Sequence, residues 1–137
     1  MKKAIYISIK PEFTKKIEVG EKNYEFRKYY PREEIDTLFV YESYPTCQLK
    51  YMIELGSIIE YPNKIIKQGY GNEDFNNGLK KSKYAYEIKS VWALEEPIPL
   101  DILRSKYSFV PPQSYAYDTK YHKLTEDLLK FNFKRLI

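Results

Sequence analysis

The side chains best suited to chemistry in this chain lie in one short segment, Gly20–Lys28. If Asn23–Lys28 forms a strand, Glu25 and Arg27 share one face, because the side chains of a strand alternate with a period of two. Aromatic residues then occupy the other face. With Lys22 just before the strand, an ammonium, a carboxylate and a guanidinium group could together line a polar pocket. The alternative interpretation is a half-buried strand with a solvated ion pair.

Each of these three groups has a plausible role with an anionic or heterocyclic ligand. Lys22 could donate to an anion, or act as a base if nearby positive charges lower its pKa. Arg27 could make paired hydrogen bonds to a phosphate or a base edge. Glu25 could orient either cation, or accept from an exocyclic amine as carboxylates do with cytosine. Buried charges must be paired, so a structural salt bridge is the competing interpretation.

Further polar candidates come from other parts of the chain. Lys10 follows the first predicted strand, and Ser43 ends a later one. Gln113 and Ser114 follow two prolines that restrict the backbone, so this segment either presents an amide to a base or closes one end of the fold. The lysines within Lys80–Lys83 indicate either a phosphate-binding rim or an ordinary solvated surface.

Composition narrows the classes of function. The 137 residues include one His and one Cys, which cannot form a His/Cys metal site, and neither a P-loop nor a dinucleotide-binding glycine pattern occurs. We therefore predict no metal and no cofactor. The single cysteine, Cys47, fits a reducing compartment. With no signal-peptide pattern and no apolar run long enough for a bilayer, we predict a cytoplasmic protein without a membrane partner.

The pattern of apolar residues predicts an α+β fold. We expect a small, mostly antiparallel β-barrel with short inserted helices. Strands are predicted at 4–9, 23–28, 37–43, 47–55, 58–61 and 84–94, and helices over 11–20 and 101–107. Asn63–Gln68 is expected to form a helical turn and Gly69–Gly78 a loop. In the tail, Thr119–Ile137, the near-helical spacing of Leu124, Leu128, Phe131 and Ile137 predicts a C-terminal amphipathic helix.

Three sequence pieces occur together in this chain and support a family resemblance. They are Ile7-Ser8-Ile9-Lys10-Pro11, then Gly20-Glu21-Lys22 with Glu25-Phe26-Arg27, and far downstream Pro111-Pro112-Gln113-Ser114-Tyr115. Their order and separation resemble the ASCH domain family, part of the PUA-like superfamily. The resemblance is greatest to a bacterial, archaeal and phage branch with the same opening and proline-rich ending. It implies a domain over residues 1–117, with 118–137 as a helical extension packed on or beside it.

The resemblance also implies a site and a range of activities. ASCH domains are thought to bind RNA or nucleotides in a cleft beside the first helix, and some cleave RNA or deacylate a modified cytidine nucleoside. The motif of the deacylating branch has a lysine that aligns with Lys22 and an arginine that aligns with Arg27. Its catalytic threonine falls at Glu25, and a carboxylate cannot replace a hydroxyl nucleophile without a change of mechanism.

Three hypotheses of function follow. The preferred one is a module that binds RNA, a nucleotide, or an unpaired or modified base, with DNA as an alternative ligand. Its predicted contacts are Lys10, Lys22, Glu25, Arg27, Ser43, Gln113 and Ser114, with Tyr44 or Tyr115 stacking on a base. The second is a metal-independent hydrolase of RNA or of an N4-acylcytidine amide, with Lys22 and Glu25 as its acid–base pair. The third is an adaptor that binds a protein through residues 118–137.

Overall fold

A computed structural model describes residues 2–137 and builds this range from seven strands and four α-helices. In chain order the elements are β1 Lys3–Ile9, α1 Pro11–Glu18, β2 Tyr24–Arg27, β3 Ile35–Glu42, β4 Gln48–Glu60, α2 Asn72–Asn76, β5 Tyr84–Pro99, α3 Leu100–Tyr107, β6 Ala116–Tyr117, α4 His122–Leu128 and β7 Phe133–Arg135. A 3-10 turn, Asp118–Tyr121, precedes α4. No helix in the described range is both long and apolar enough to cross a membrane.

The strands form one curled sheet in the order β2-β5-β4-β3-β1-β6, with β7 added to β5. Only β1 and β3 run parallel among the described strand pairs, and the other pairs are antiparallel. The strand path is open, so β2 and β6 are its two ends. This half-barrel confirms the predicted α+β fold with a mostly antiparallel sheet and short helices.

Alternation along β1 shows how the sequence specifies the core. Ile5, Ile7 and Ile9 are buried in the interior of the curled sheet, where Ile17 of α1 joins them. Tyr6, on the opposite face, is also buried and packs in a second cluster with residues from α3 and α4. Both faces of β1 are therefore covered, as is usual for a strand that pairs in parallel.

The first helix and the strand after it follow the sequence prediction. Pro11 occupies the first turn of α1, where the absence of its N–H costs nothing. Gly20 lies just beyond the helix with a φ of 80°, a left-handed conformation that favours glycine. Tyr24 and Phe26 pack in a small cluster with Phe75 of α2, as expected for the aromatic face of β2.

The structure corrects the prediction for the connection between β4 and β5. Asn63–Gln68 is not helical, whereas Gly69–Gly78, predicted as a loop, contains α2. Local propensity missed this helix because its stability comes from tertiary contacts. Phe75 is buried, and the side chain of Asn72 donates to Asn23 Oδ1 at 2.9 Å and to Lys67 O at 3.1 Å.

The second correction concerns β5, which was predicted over 84–94 but continues through Pro97 and ends at Pro99. Between the pairs Tyr51↔Ala93 and Leu49↔Ile98, the register of β4 and β5 shifts. Pro97 lies in this irregular stretch, where its missing N–H breaks no regular ladder.

The third correction concerns the C-terminal segment. The predicted helix is present over His122–Leu128, but its predicted extension to Ile137 is wrong. Phe133–Arg135 instead forms β7 and pairs antiparallel with Trp92–Leu94 of β5. The boundary at residue 117 stays a prediction, although Leu124 and Leu128 are buried among side chains from β1 and β3.

We expect Leu124→Ala to destabilise the protein by about 2–5 kcal/mol, because it removes a fully buried side chain and leaves a cavity. Leu129→Ala is the matched control, since Leu129 is 76% exposed and its truncation should change stability by less than about 0.5 kcal/mol. Urea unfolding of both variants measures the difference. Equally small losses would show that α4 contributes nothing to the core.

Candidate functional site

A pocket of about 370 Å³ lies at the open side of the half-barrel. Its walls come from β1, from β2 and the residues after it, from β5, and from the segment before β6. The lining residues are Ile5, Ile7, Phe26, Arg27, Lys28, Tyr29, Ser82, Tyr86, Gln113, Ser114 and Tyr115. Because β2 and β6 are the two ends of the sheet, the pocket fills the opening between them.

Arg27 connects the two sides of this opening. Its Nη2 donates to the carbonyl oxygen of Ser8 on β1 at 3.0 Å. Its Nε and Nη2 also contact Glu25 Oε2, at 2.9 and 2.8 Å. Since β1 and β2 are not neighbours in the sheet, this guanidinium group supplies a link that backbone pairing does not.

Ser8 extends the link to the proline-rich segment. Its hydroxyl donates to Pro112 O at 2.8 Å. On the other side of the segment, the Tyr115 ring packs on Tyr117, which pairs with β1. Gln113 and Ser114 lie between these two attachments and are exposed, so their side chains are available to a ligand on an anchored backbone.

Lys22 and Glu25 are buried beside the pocket wall and do not line it. They are 4% and 6% exposed, and Lys22 Nζ lies 3.3 Å from Glu25 Oε1. The same ammonium group lies 4.5 Å from the ring centroid of Phe26, which does line the pocket. Each Glu25 oxygen therefore has a cationic partner, Lys22 on Oε1 and Arg27 on Oε2.

Burial lowers the pKa of Lys22, and the positive charges of Lys80 and Arg27 act in the same direction. The carboxylate of Glu25 opposes them. Burial has the opposite effect on a phenol and raises the pKa of Tyr86. The Tyr86 hydroxyl thus stays protonated and donates to Tyr29 O, which fixes the backbone after β2.

The structure brings together some of the predicted site residues and separates others. Arg27, Gln113 and Ser114 line the pocket. Lys10 lies at the start of α1, and Ser43 contacts Ile9 O at 3.4 Å beyond the end of β3; both lie outside this pocket. The predicted cleft lay beside the first helix, whereas the lining of this pocket comes from other elements. Of the two predicted stacking residues, Tyr115 lines the pocket and Tyr44 does not.

Several residues of the site had no separate sequence signal. Tyr86 is one of 15 tyrosines, and its inward position depends on the register of β5 against β2. Lys28 ends the charged segment but was given no role of its own, and Tyr29 directly follows it, so the segment could have been extended by one position. Ser82 lies among the lysines of Lys80–Lys83, which were considered only as cations.

Glu25→Gln should destabilise the protein by about 3–5 kcal/mol, because it leaves the buried ammonium of Lys22 without a charged partner. The double variant Lys22→Met/Glu25→Gln should recover part of this loss, since no unpaired cation then remains buried beside Phe26. Chemical unfolding of the two single variants and the double variant gives the coupling. Strictly additive losses would contradict the pairing.

Lys22→Met should also remove a pH dependence of stability. The folded-state pKa of Lys22 is lowered, so the unfolded chain binds more protons between that pKa and the ordinary value of about 10.4. Stability of the wild type should therefore rise with pH across this interval, relative to the variant. Urea unfolding of both proteins at about pH 8 and about pH 10 tests the sign. A difference that is constant with pH would show that burial does not shift this lysine.

Comparison with solved structures shows which fold this is. The ASCH protein from Zymomonas mobilis is 24% identical, with a TM-score of 0.68 over 95% of this chain and 96% of that chain. A serine-to-alanine mutant of the same protein gives 22% identity and a TM-score of 0.68 over 96% of this chain and 98% of that chain. A tyrosine-to-phenylalanine mutant gives 24% identity and a TM-score of 0.70 over 96% of this chain and 100% of that chain.

Neither a family model nor a curated protein matches the sequence. At this level of identity the structural likeness concerns the fold, and it spans nearly the whole of both chains. The resemblance read from the three motifs is thereby confirmed for the architecture. The chain has the small α+β fold of ASCH proteins.

Proposed function

We propose that this protein is a nucleotide-binding module whose pocket takes one nucleotide of a single-stranded RNA. The observation that carries the proposal is the joint lining of one pocket by Arg27, by the amide of Gln113 and by exposed or half-exposed tyrosines. Its volume of about 370 Å³ lies in the range of small-molecule sites. The likeness of the motifs to a family whose members are thought to bind RNA or nucleotides supports the same ligand class.

The charge of the pocket favours an anionic group. Arg27 and Lys28 line it, and no carboxylate does so among the described residues. Within residues 2–137, the contacts of the Arg27 guanidinium use Nε and Nη2, which leaves Nη1 for a phosphate or a base edge. A second pocket, of about 400 Å³ near α3, is lined by two carboxylates and two lysines, so its charges balance and it suits an anion less well; these residues are Glu95, Glu96, Lys106 and Lys130.

Aromatic and polar groups complement this charge. Tyr29 is 64% exposed, and Tyr115 is half-buried in the opposite wall. Either ring offers a face to an unstacked base, and stacking contributes about 1–3 kcal/mol per base. Gln113 can both donate and accept, so it suits the polar edge of a base. These features select single strands, because the base edges and faces of a duplex are already engaged.

The two other hypotheses receive less support from the geometry. The Lys22–Glu25 pair is buried, and both carboxylate oxygens of Glu25 have cationic partners, so we propose no catalytic step for it. In the segment 118–137, the apolar side chains Leu124 and Leu128 of α4 pack inside the protein, and the exposed apolar side chains, Leu129, Phe131, Leu136 and Ile137, all follow this helix and do not form a face of it. The binding module therefore remains the preferred hypothesis.

We expect Tyr29→Ala to weaken binding of a labelled single-stranded RNA hexamer by roughly tenfold, since one base loses its stacking partner. Tyr44→Ala is the matched control, because Tyr44 is 83% exposed and lies outside the pocket. Fluorescence anisotropy at low salt measures both, and a DNA hexamer of the same sequence tests the choice of sugar. The proposal fails if no single strand binds, or if the two substitutions weaken binding equally.

A further inference from the structure

The segment Leu79–Lys83 lies against the pocket and carries three lysines within four residues. Ser82 lines the pocket, and Lys81 and Lys83 flank it with exposed side chains. We refer to Lys80–Lys83 as the lysine turn. Within the range 2–137, none of its lysines has a carboxylate within salt-bridge distance, whereas Lys67 and Lys123 pair with Glu87 and Asp127.

The lysine turn is held in place by contacts that leave its charges available. Lys83 Nζ donates to Lys80 O at 2.9 Å and lies 4.7 Å from the ring centroid of Tyr61. Lys80 Nζ lies 4.5 Å from the ring centroid of Phe26, a residue of the pocket wall. The N–H of Leu79, the residue before the turn, donates to Asp74 O of α2 at 2.9 Å and so attaches the turn to that helix. Positive charge therefore continues from the pocket wall out onto the surface.

We infer that the lysine turn is a second phosphate subsite, which holds the backbone of nucleotides adjacent to the one in the pocket. This inference rests on the proposed function and names its ligand as a polynucleotide rather than a free nucleotide. Lysine ammonium groups are hydrated point charges that suit phosphates without reading sequence. Ser82 lies between two of these lysines and lines the pocket, so its hydroxyl adds a donor next to them.

The subsite makes both the affinity and the salt dependence of binding depend on ligand length. A hexamer can reach both the pocket and the lysine turn, whereas a mononucleotide reaches only the pocket. Each phosphate contact on a single strand adds about 0.7 to the slope of log K against log salt. Losing two lysine contacts should therefore reduce the slope by about 1.4 for the hexamer and leave mononucleotide binding unchanged.

The test compares a mixed-sequence RNA hexamer with the four ribonucleoside monophosphates, bound to wild type and to Lys81→Ala/Lys83→Ala over a range of salt. The control is Lys130→Ala/Lys134→Ala, which removes the same charge from two exposed lysines outside the pocket. Lys81→Ala alone keeps the Lys83 contacts with Lys80 O and Tyr61, so its effect separates lost phosphate binding from a disturbed turn. Lys81→Arg/Lys83→Arg should retain the salt slope of the wild type.

We expect the hexamer to bind at least tenfold more tightly than any monophosphate, and only the Lys81/Lys83 substitutions to remove that gain. If monophosphates bind as tightly as the hexamer, the inference is overturned while the proposed function stands. If the control double variant lowers the slope equally, the lysine turn is not a subsite and the effect is one of net charge. If neither ligand class binds, the proposed function has failed as well.

Discussion

The guanidinium group of Arg27 is the interaction on which the site depends. The curled sheet leaves β2 and β6 unpaired with each other, so no backbone ladder closes the half-barrel. Arg27 spans part of that opening by contacting Glu25 on its own strand and Ser8 O on β1. Through the Ser8 hydroxyl the same link reaches Pro112 and thus the segment that carries Gln113 and Ser114. The same set of contacts therefore closes the half-barrel and builds the pocket.

This arrangement explains why three charges are placed at the edge of an apolar core. Burying Lys22 and Glu25 costs solvation, and each is tolerated because the other is its partner. Glu25 in turn holds Arg27 through Nε and Nη2, and Nη2 also donates to Ser8 O, which among the contacts within residues 2–137 leaves Nη1 for a ligand. A buried carboxylate thus acts as a positioning group, and the cation that it orients is the one that faces the pocket.

Much of the fold, and part of the site, could be predicted from the sequence. The alternation of apolar and polar residues, with the residues that start and end a helix, located β1, α1 and β2. The Gly20–Lys28 segment indicated that Lys22, Glu25 and Arg27 act together. Which of these side chains face the pocket depends on how the sheet closes, and local pattern does not carry that information. For the same reason α2 and β7 were missed, since each is stabilised by distant partners such as Asn23 or the strand Trp92–Leu94.

The closure of the half-barrel by side chains also bears on how such a domain diversifies. In a fully hydrogen-bonded barrel, a change that shifts the last strand pair by one residue moves every side chain of the shifted strand to the other face of the sheet. Here the contacts that close the half-barrel come from an arginine, a serine hydroxyl and a short proline-rich connection. The exposed residues of this connection, Gln113 and Ser114, can be exchanged without altering any strand pairing. Ligand preference can therefore change while the fold is kept.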